Sequence, residues 1–355
     1  MKRYGTLFEA IISFANLEQA FHQAARTRRF RSDVLAFRRD LEGNLFALQR
    51  ELREGRYRTG EYRRFYVYEP KQREIFALPF RDRVVHHALM NVLAPILERT
   101  FIPDSYACRL GKGTHRATER LTGFLRRAQR EWGEVYCLKA DIQKFFPSVN
   151  HRVLMGLLRR KLKCQRTLFV VEEIVFSNGN RWDAASCNLP IGNLTSQWFC
   201  NFYLTALDHF IKHELRAPYY LRYMDDFVLL APSKPILHGW RARIEAFLGE
   251  RLKLTLNRKT AIFPARLGIE FVGYRTWATH RLLRKAARRR MARALKGIGK
   301  RLRAGEIDRP RYEASINSWL AQIGHADGYT LGKKLFGGLV PDELIEDRLA
   351  VRRRR

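Results

Sequence analysis

Tyr223-Met224-Asp225-Asp226 lies between two apolar runs, Tyr219-Tyr220-Leu221 before it and Phe227-Val228-Leu229-Leu230 after it. Strand-forming residues on both sides of a short polar step predict a β-hairpin that lifts two adjacent aspartates out of a buried sheet. Adjacent, partly desolvated carboxylates repel each other unless a cation neutralises them. The pair therefore has two readings: a cation site, or a turn in which Asp-Asp supplies local hydrogen bonds. The rest of the chain decides between them.

The 355 residues are 46% hydrophobic and 12% aromatic, enough for the core of one large domain or of two to three small ones. Lys and Arg number 67 against 35 Asp and Glu, a net charge of +32. Such a field points to a polyanionic partner, with nucleic acid the first candidate. A basic solubilising surface or a membrane-surface protein is the alternative. The arginines recur from the first helices to the tail, which suits a long charged ligand better than one membrane patch. Cys108, Cys137, Cys164, Cys187 and Cys200 are odd in number, widely spaced and free of C-x-x-C. They predict small core residues rather than disulfides or a zinc site. The N-terminus lacks an apolar h-region with a cleavage site, and no uncharged apolar run reaches 18 residues. The expectation is a reducing cytoplasm and no membrane.

Working outward, the first 60 residues read as helices, with one apolar stripe through Val34, Phe37, Leu41, Leu45, Leu48 and Leu52 that Gly55 ends. Arg26, Arg28, Arg29, Arg31, Arg38 and Arg39 form a basic patch there. Residues 61–80 predict two short strands joined by Glu69-Pro70-Lys71-Gln72, a cationic hairpin tip able to clamp phosphates. Arg81-Asp82-Arg83 starts the next helix, Thr114 is a candidate cap for another, and Asn150 for a third. Val135–Leu138 reads as a core strand delivering Asp141. Leu189–Asn193 is a turn before a long helix through Phe199 and Ile211. From about residue 280, Arg284, Lys285, Arg288, Arg289 and their successors decorate a helix whose other face carries Met291, Leu295, Ile298 and Leu302, as a nucleic-acid backbone would require. The tail 352–355 is expected to be disordered. His86, His87, His115 and His151 show no ligand spacing.

If Asp141 and the Asp225-Asp226 turn lie on adjacent strands of one sheet, three hard oxygen ligands face a cationic clamp, as two Mg²⁺ ions need for in-line phosphoryl transfer. The segments resemble, in order, the blocks of a reverse transcriptase. Lys71–Pro79 with Arg81–Arg83 is similar to the fingers block that grips the incoming triphosphate. Phe101–Tyr106 with Arg109–Gly113 resembles the block that contacts template. Leu138–Val149 resembles the first metal block, Tyr223–Asp226 the second and Asn257–Thr260 the lysine block. Gly268–Tyr274 resembles the primer grip, and the basic helices after it the thumb. The resemblance implies an α+β right-hand polymerase: 1–134 as fingers with the N-terminal helices, 135–275 as palm with a finger-like insertion at 165–195, and 276–355 as helical thumb and tail.

The resemblance also implies roles. Asp141, Asp225 and Asp226 would be catalytic; these carboxylates with the Ile142 carbonyl would hold two Mg²⁺ ions, Mn²⁺ being a possible substitute, with Asp226 in a supporting place. Lys71, Arg73 and Arg81 would meet the dNTP phosphates. Phe146 or its neighbour Phe145 would exclude a 2′-hydroxyl, and Lys259 would protonate pyrophosphate. Tyr223, Gly273, Arg284, Lys285, Arg288 and Arg289 would contact nucleic acid.

One block narrows the family. In Leu189-Pro190-Ile191-Gly192-Asn193-Leu194-Thr195-Ser196-Gln197, an aliphatic residue replaces the glutamine usual before the glycine, and Gln197 replaces the proline usual after the serine. Ile191, Gly192 and Gln197 in these places resemble reverse transcriptases of diversity-generating retroelements, which copy a template-repeat RNA into cDNA with errors at template adenines. The implied partners are template RNA, the cDNA or primer strand, dNTPs and a small, basic, oligomeric accessory variability protein. The implied setting is a bacterial cytoplasm, with a gene that phage can carry. Ile191 cannot hydrogen-bond through its side chain, so it is expected to loosen the pocket; simple packing is the other reading. Other bacterial reverse transcriptases (retron, group II-like or phage-defence) and a non-catalytic RNA-binding scaffold remain the alternatives.

Overall fold

The computed structural model describes residues 3–68, 72–337 and 349. Lys71 and the tail 352–355 lie outside the described residues. In chain order the elements begin with α1 (Phe8–Ile12), α2 (Phe14–Ala25), α3 (Ser32–Arg39), α4 (Leu41–Arg53), β1 (Arg63–Val67), β2 (Arg73–Ala77), α5 (Phe80–Glu98) and α6 (Thr114–Trp132). There follow β3 (Tyr136–Asp141), α7 (Phe145–Ser148), α8 (His151–Arg159), α9 (Gln165–Val175), α10 (Leu194–Tyr203) and α11 (Thr205–His209). The hairpin strands are β4 (Tyr219–Tyr223) and β5 (Asp226–Ala231), then α12 (Lys234–Phe247), β6 (Ala261–Pro264), β7 (Ile269–Phe271), β8 (Tyr274–Thr276), β9 (Arg281–Leu283), α13 (Lys285–Arg303), α14 (Arg309–Gly324) and α15 (Tyr329–Phe336). The chain forms two compact units, each assembled from separated segments.

The first unit is Met1–Arg109, Asp141–Arg216 and Ala242–Lys259. Its centre is α5, whose Val84, Val85, Ala88, Leu89 and Leu93 are buried, with α2 packed along it. The expected single stripe through 34–52 is two helices. Asp40 breaks it by capping α4, its carboxylate accepting from Gly43 N at 3.2 Å. The stripe still packs on Val34, Leu45, Leu48 and Leu52. β1 and β2 pair antiparallel with Phe65 opposite Ile75, the hairpin expected over 61–80. Asn150 does cap α8, accepting from Val153 N at 3.0 Å.

The second unit is Leu110–Ala140, Ala217–Arg241 and Thr260–Arg355. Its four-stranded sheet has the order β4-β5-β3-β6, with β4 and β5 antiparallel in the register Leu221↔Val228 and β3 antiparallel to β6. Thr114 does not cap α6; Gly113 takes the cap position at φ +110°, and no side chain caps it. α6 covers the sheet through Phe124, whose ring centroid lies 5.1 Å from that of Tyr219. A second sheet, β7-β8-β9, turns through Val272-Gly273, both at positive φ. It is tied to α13–α15 through a core of Tyr274, Leu283, Met291, Leu295, Ile316, Leu320, Ile323 and Phe336.

The crossover from β3 to the hairpin holds α7 to α11. The cysteines depart from the expectation of core positions. Cys137 and Cys200 are buried, but Cys108 and Cys187 are exposed because they sit in loops rather than on an apolar face.

Candidate active site

Tyr223 pairs with Asp226 across a loop of just Met224 and Asp225. Met224 takes the left-handed region at φ +55°, a conformation costing a non-glycine residue about 1–2 kcal/mol. The fully buried guanidinium of Arg222 donates from Nη1 to the Met224 carbonyl at 2.9 Å and so fixes that loop. Asp225 and Asp226 are half-buried at its mouth.

The sheet order puts β3, which ends in Asp141, directly beside β5, which begins with Asp226. Lys139, which shares a face of β3 with Asp141 by strand alternation, donates from Nζ to Asp226 Oδ1 at 2.7 Å. The Asp226 carboxylate is thus committed to a neighbouring ammonium.

Asp141 is held from the other side. Its backbone carbonyl accepts from Asn257 N at 2.7 Å, and its Oδ2 accepts from Asn257 Nδ2 at 3.2 Å. Gln143 N donates to Thr255 O at 2.9 Å, and Ile142 faces Leu256 in an antiparallel bridge. The bonds of that bridge come from the flanking residues, which leaves the Ile142 carbonyl outside the ladder. Among the described residues no group of three or more His, Cys, Asp or Glu side chains is gathered to hold a metal ion. The residues expected to hold metal offer carboxylates on Asp141, Asp225 and Asp226 and a carbonyl on Ile142, hard oxygens of the kind Mg²⁺ takes.

The expected nucleotide-binding residues converge in part. Leu189 N donates to Phe146 O at 2.9 Å and Phe76 N donates to Ile191 O at 3.0 Å, so the Leu189–Asn193 turn joins Phe146 to β2. Gly192 stands at φ +119°, and a Cβ there would lie 3.1 Å from Phe76 O, so backbone shape and close approach both require glycine. Ile191 is half-buried. Phe145 is 2% exposed and belongs to the core, whereas Phe146 is half-buried, its ring edge-on to that of Phe145. Arg73 is exposed at the start of β2. Gln197 is exposed on α10, and Lys259 is exposed beside Asn257, whose Oδ1 accepts the Lys259 N–H at 3.0 Å.

Two basic residues have partners within the fold. Arg81 pairs with Glu51 and lies over the Tyr57 ring. Arg109, in the block expected to touch template, is tied to Glu98 at 2.7 Å and to the carbonyls of Ile102 and Ser105. Tyr223 is half-buried at the hairpin mouth, and Gly273 supplies the tight β7–β8 turn at φ +94°. Arg284, Lys285, Arg288 and Arg289 are exposed, Arg284 pairing with Glu270 at 3.0 Å.

Lys139, Arg222 and Asn257 were not singled out from the sequence as site residues. The signal for two of them was there, since a Lys and an Arg inside apolar strands need buried or half-buried partners.

The reverse transcriptase (RNA-dependent DNA polymerase) family matches residues 69–276. Protein YkfC of Escherichia coli K12 is 27% identical over 285 residues, 68% of this chain and 71% of that protein. The group II intron-encoded protein LtrA of Lactococcus lactis is 24% identical over 167 residues, 45% of this chain and 27% of LtrA. Apo telomerase from Candida tropicalis, truncated from its C-terminal domain, superposes with a TM-score of 0.50 at 14% identity, covering 63% of this chain and 55% of that one. The chain thus spans about half the length of that solved structure, and the likeness is one of fold, the α+β right-hand polymerase. No helix among the described residues is long and apolar enough to cross a membrane. With more than half its length matched, the chain belongs to the reverse transcriptase family of RNA-dependent DNA polymerases.

Proposed function

We propose that this reverse transcriptase makes cDNA from a template-repeat RNA and misincorporates at template adenines, as in diversity-generating retroelements. The observation that carries the polymerase part is the meeting of β3 and β5 in one sheet, with Asp141 closing the first, Asp226 opening the second and Asp225 in the loop just before it. In the reaction a primer 3′-hydroxyl oxygen bonds to the α-phosphorus of a dNTP, and the bond to the leaving pyrophosphate breaks. Asp141, Asp225 and the Ile142 carbonyl would hold Mg²⁺, which supplies charge neutralisation at the attacking and leaving oxygens. Asp226, kept by Lys139, orients the hairpin mouth. Arg73 pairs with triphosphate oxygens, and Lys71 does the same. Phe146 rather than Phe145 packs against the sugar, because Phe145 has no exposed face. Lys259 gives a proton to pyrophosphate. Template RNA, primer strand and a small basic accessory protein are the partners, in a bacterial cytoplasm.

The subfamily rests on Ile191 and Gln197. An isoleucine in place of the glutamine leaves no polar side chain at position 191, a loss of about 1–3 kcal/mol of geometric discrimination. Sequencing cDNA made by wild type and by Ile191→Gln tests it: errors opposite adenine should fall in the variant, and an unchanged spectrum contradicts the subfamily reading. The matched group II intron relatives favour a second reading, a group II-like enzyme that copies adenines as faithfully as other bases. A flat error spectrum in the wild type would select it.

A further inference from the structure

Asn193 breaks a local rule. It holds the N-cap position of α10, where asparagine is among the best residues because its side-chain oxygen accepts an N–H of the first turn. Here the side chain makes no capping bond. Asn193 is 4% exposed, and its Nδ2 donates instead to the Tyr62 hydroxyl at 3.1 Å. A good cap given up inside a buried turn implies that the other bond decides the shape.

The bonds around Tyr62 run in one direction. Ser177 Oγ lies 2.7 Å from the Ile174 carbonyl, which can only accept, so the one proton of the serine goes there. The Tyr62 and Ser177 hydroxyls are 2.7 Å apart, and with the serine proton spent Tyr62 is the donor. The tyrosine oxygen is then left to accept, so the end of the Asn193 amide that faces it must be the NH₂ group. Burial pushes the pKa of the Tyr62 hydroxyl up, against the pull of Ser177 and Asn193, and it keeps the proton that this relay needs. Each bond polarises the next, from Asn193 through Tyr62 and Ser177 to Ile174.

Tyr62 reaches the same turn by a second route. Its ring stands edge-on to that of Phe76, with centroids 5.9 Å apart and planes at 88°, and Phe76 N holds the Ile191 carbonyl at 3.0 Å. Ile191 and Asn193 are both tied back to one side chain, and Gly192 lies between them at φ +119°.

We propose that Tyr62 is a positioning residue for the incoming nucleotide: its hydroxyl draws Asn193 out of the α10 cap and so sets the shape of the Ile191–Gly192 turn. Without that hydroxyl the Asn193 NH₂ group is stranded in a buried place. The side chain then has a ready alternative in the cap it gives up, and taking it re-aims the turn. The turn has two arrangements, and Tyr62 selects the one that the nucleotide meets. The proposal rests on Ile191 and Gly192 being part of the nucleotide pocket, and it holds whether or not adenines are miscopied.

Steady-state primer extension on an RNA template, titrating a matched dNTP, tests it with thermal melts alongside. Tyr62→Phe removes the hydroxyl and keeps the ring. It should raise the dNTP KM about fivefold, the worth of one hydrogen bond. The kcat should stay within about twofold, and Tm should hold because the recovered cap offsets the lost bond. Asn193→Ser caps α10 but stops one bond short of Tyr62, and it should raise KM as much. The double variant should be no worse than either single change, because both break one link. A chain that is merely less well folded loses kcat through its active fraction and keeps its KM. An unchanged KM in Tyr62→Phe, or single effects on KM that multiply in the double variant, overturns the proposal. Should Tyr62→Phe fail to fold, Asn193→Ser decides alone: a raised KM supports the proposal and an unchanged one overturns it. A KM that responds to Ile191→Gln but to neither of the other changes overturns the positioning role and leaves the pocket reading standing. A KM that none of the three moves removes the pocket reading with it.

Discussion

At the scale of single residues, the site depends on how its carboxylates are held. Lys139 and Asp226 have side chains 25% and 30% exposed, so their pairing is only partly screened. Lys139→Met should lower primer extension about tenfold, the worth of one charge-assisted hydrogen bond, with Lys139→Arg recovering most of it. Steady-state extension with CD as the control for folding decides it; full activity in Lys139→Met would mean that Asp226 needs no partner. His86 offers a second test. Burial lowers its pKa to about 3, and its Nδ1 lies 2.9 Å from Thr195 Oγ1. The folded state binds this proton less readily than the unfolded state, so stability is fully present above about 6.5 and declines as pH falls toward 3. Thermal melts should show the wild type losing stability more steeply between those limits than His86→Leu, by at most about 1.4 kcal/mol per pH unit.

At the scale of elements, the second unit depends on Arg281, 6% exposed at the head of β9. Its guanidinium donates to Thr118 Oγ1 at 2.8 Å, to His325 O at 3.2 Å and to Thr122 Oγ1 at 3.2 Å. Its backbone N–H donates to Asp327 Oδ2 at 2.8 Å. One residue thus fastens α6, β9 and the end of α14. Arg281→Met should cost about 3 kcal/mol by stranding those acceptors, read as a lowered Tm and an earlier urea midpoint. Elements were legible where a residue acts locally. Asn150 announced α8 and the aromatic run announced the β1–β2 hairpin. What a remote partner decides was not legible: Asp40 dividing a stripe that reads as continuous, or Glu51 claiming Arg81. The aspartate hairpin was legible from its own residues, but Asn257 on Asp141 depends on a bridge between segments more than a hundred residues apart.

At the scale of the whole molecule, the +32 charge finds its use in exposed basic surfaces rather than in one patch. Arg284, Lys285, Arg288 and Arg289 on α13 and the arginines around the α2–α3 loop lie in different units. Template-primer affinity should therefore fall by several orders of magnitude as salt rises from about 50 to 200 mM, as expected for 6–10 phosphate contacts. A filter-binding titration over that range measures it; a flat response would mean that the charge serves solubility alone.

The central claim is that Asp141 and the Asp225-Asp226 hairpin form a nucleotidyl-transfer centre. Primer extension on an RNA template with Mg²⁺ and dNTPs, comparing wild type with Asp225→Ala plus Asp226→Ala, tests it most directly. The wild type should yield cDNA and the double variant none, with both chains folded and both still binding the hybrid. Equal extension by the two would contradict it.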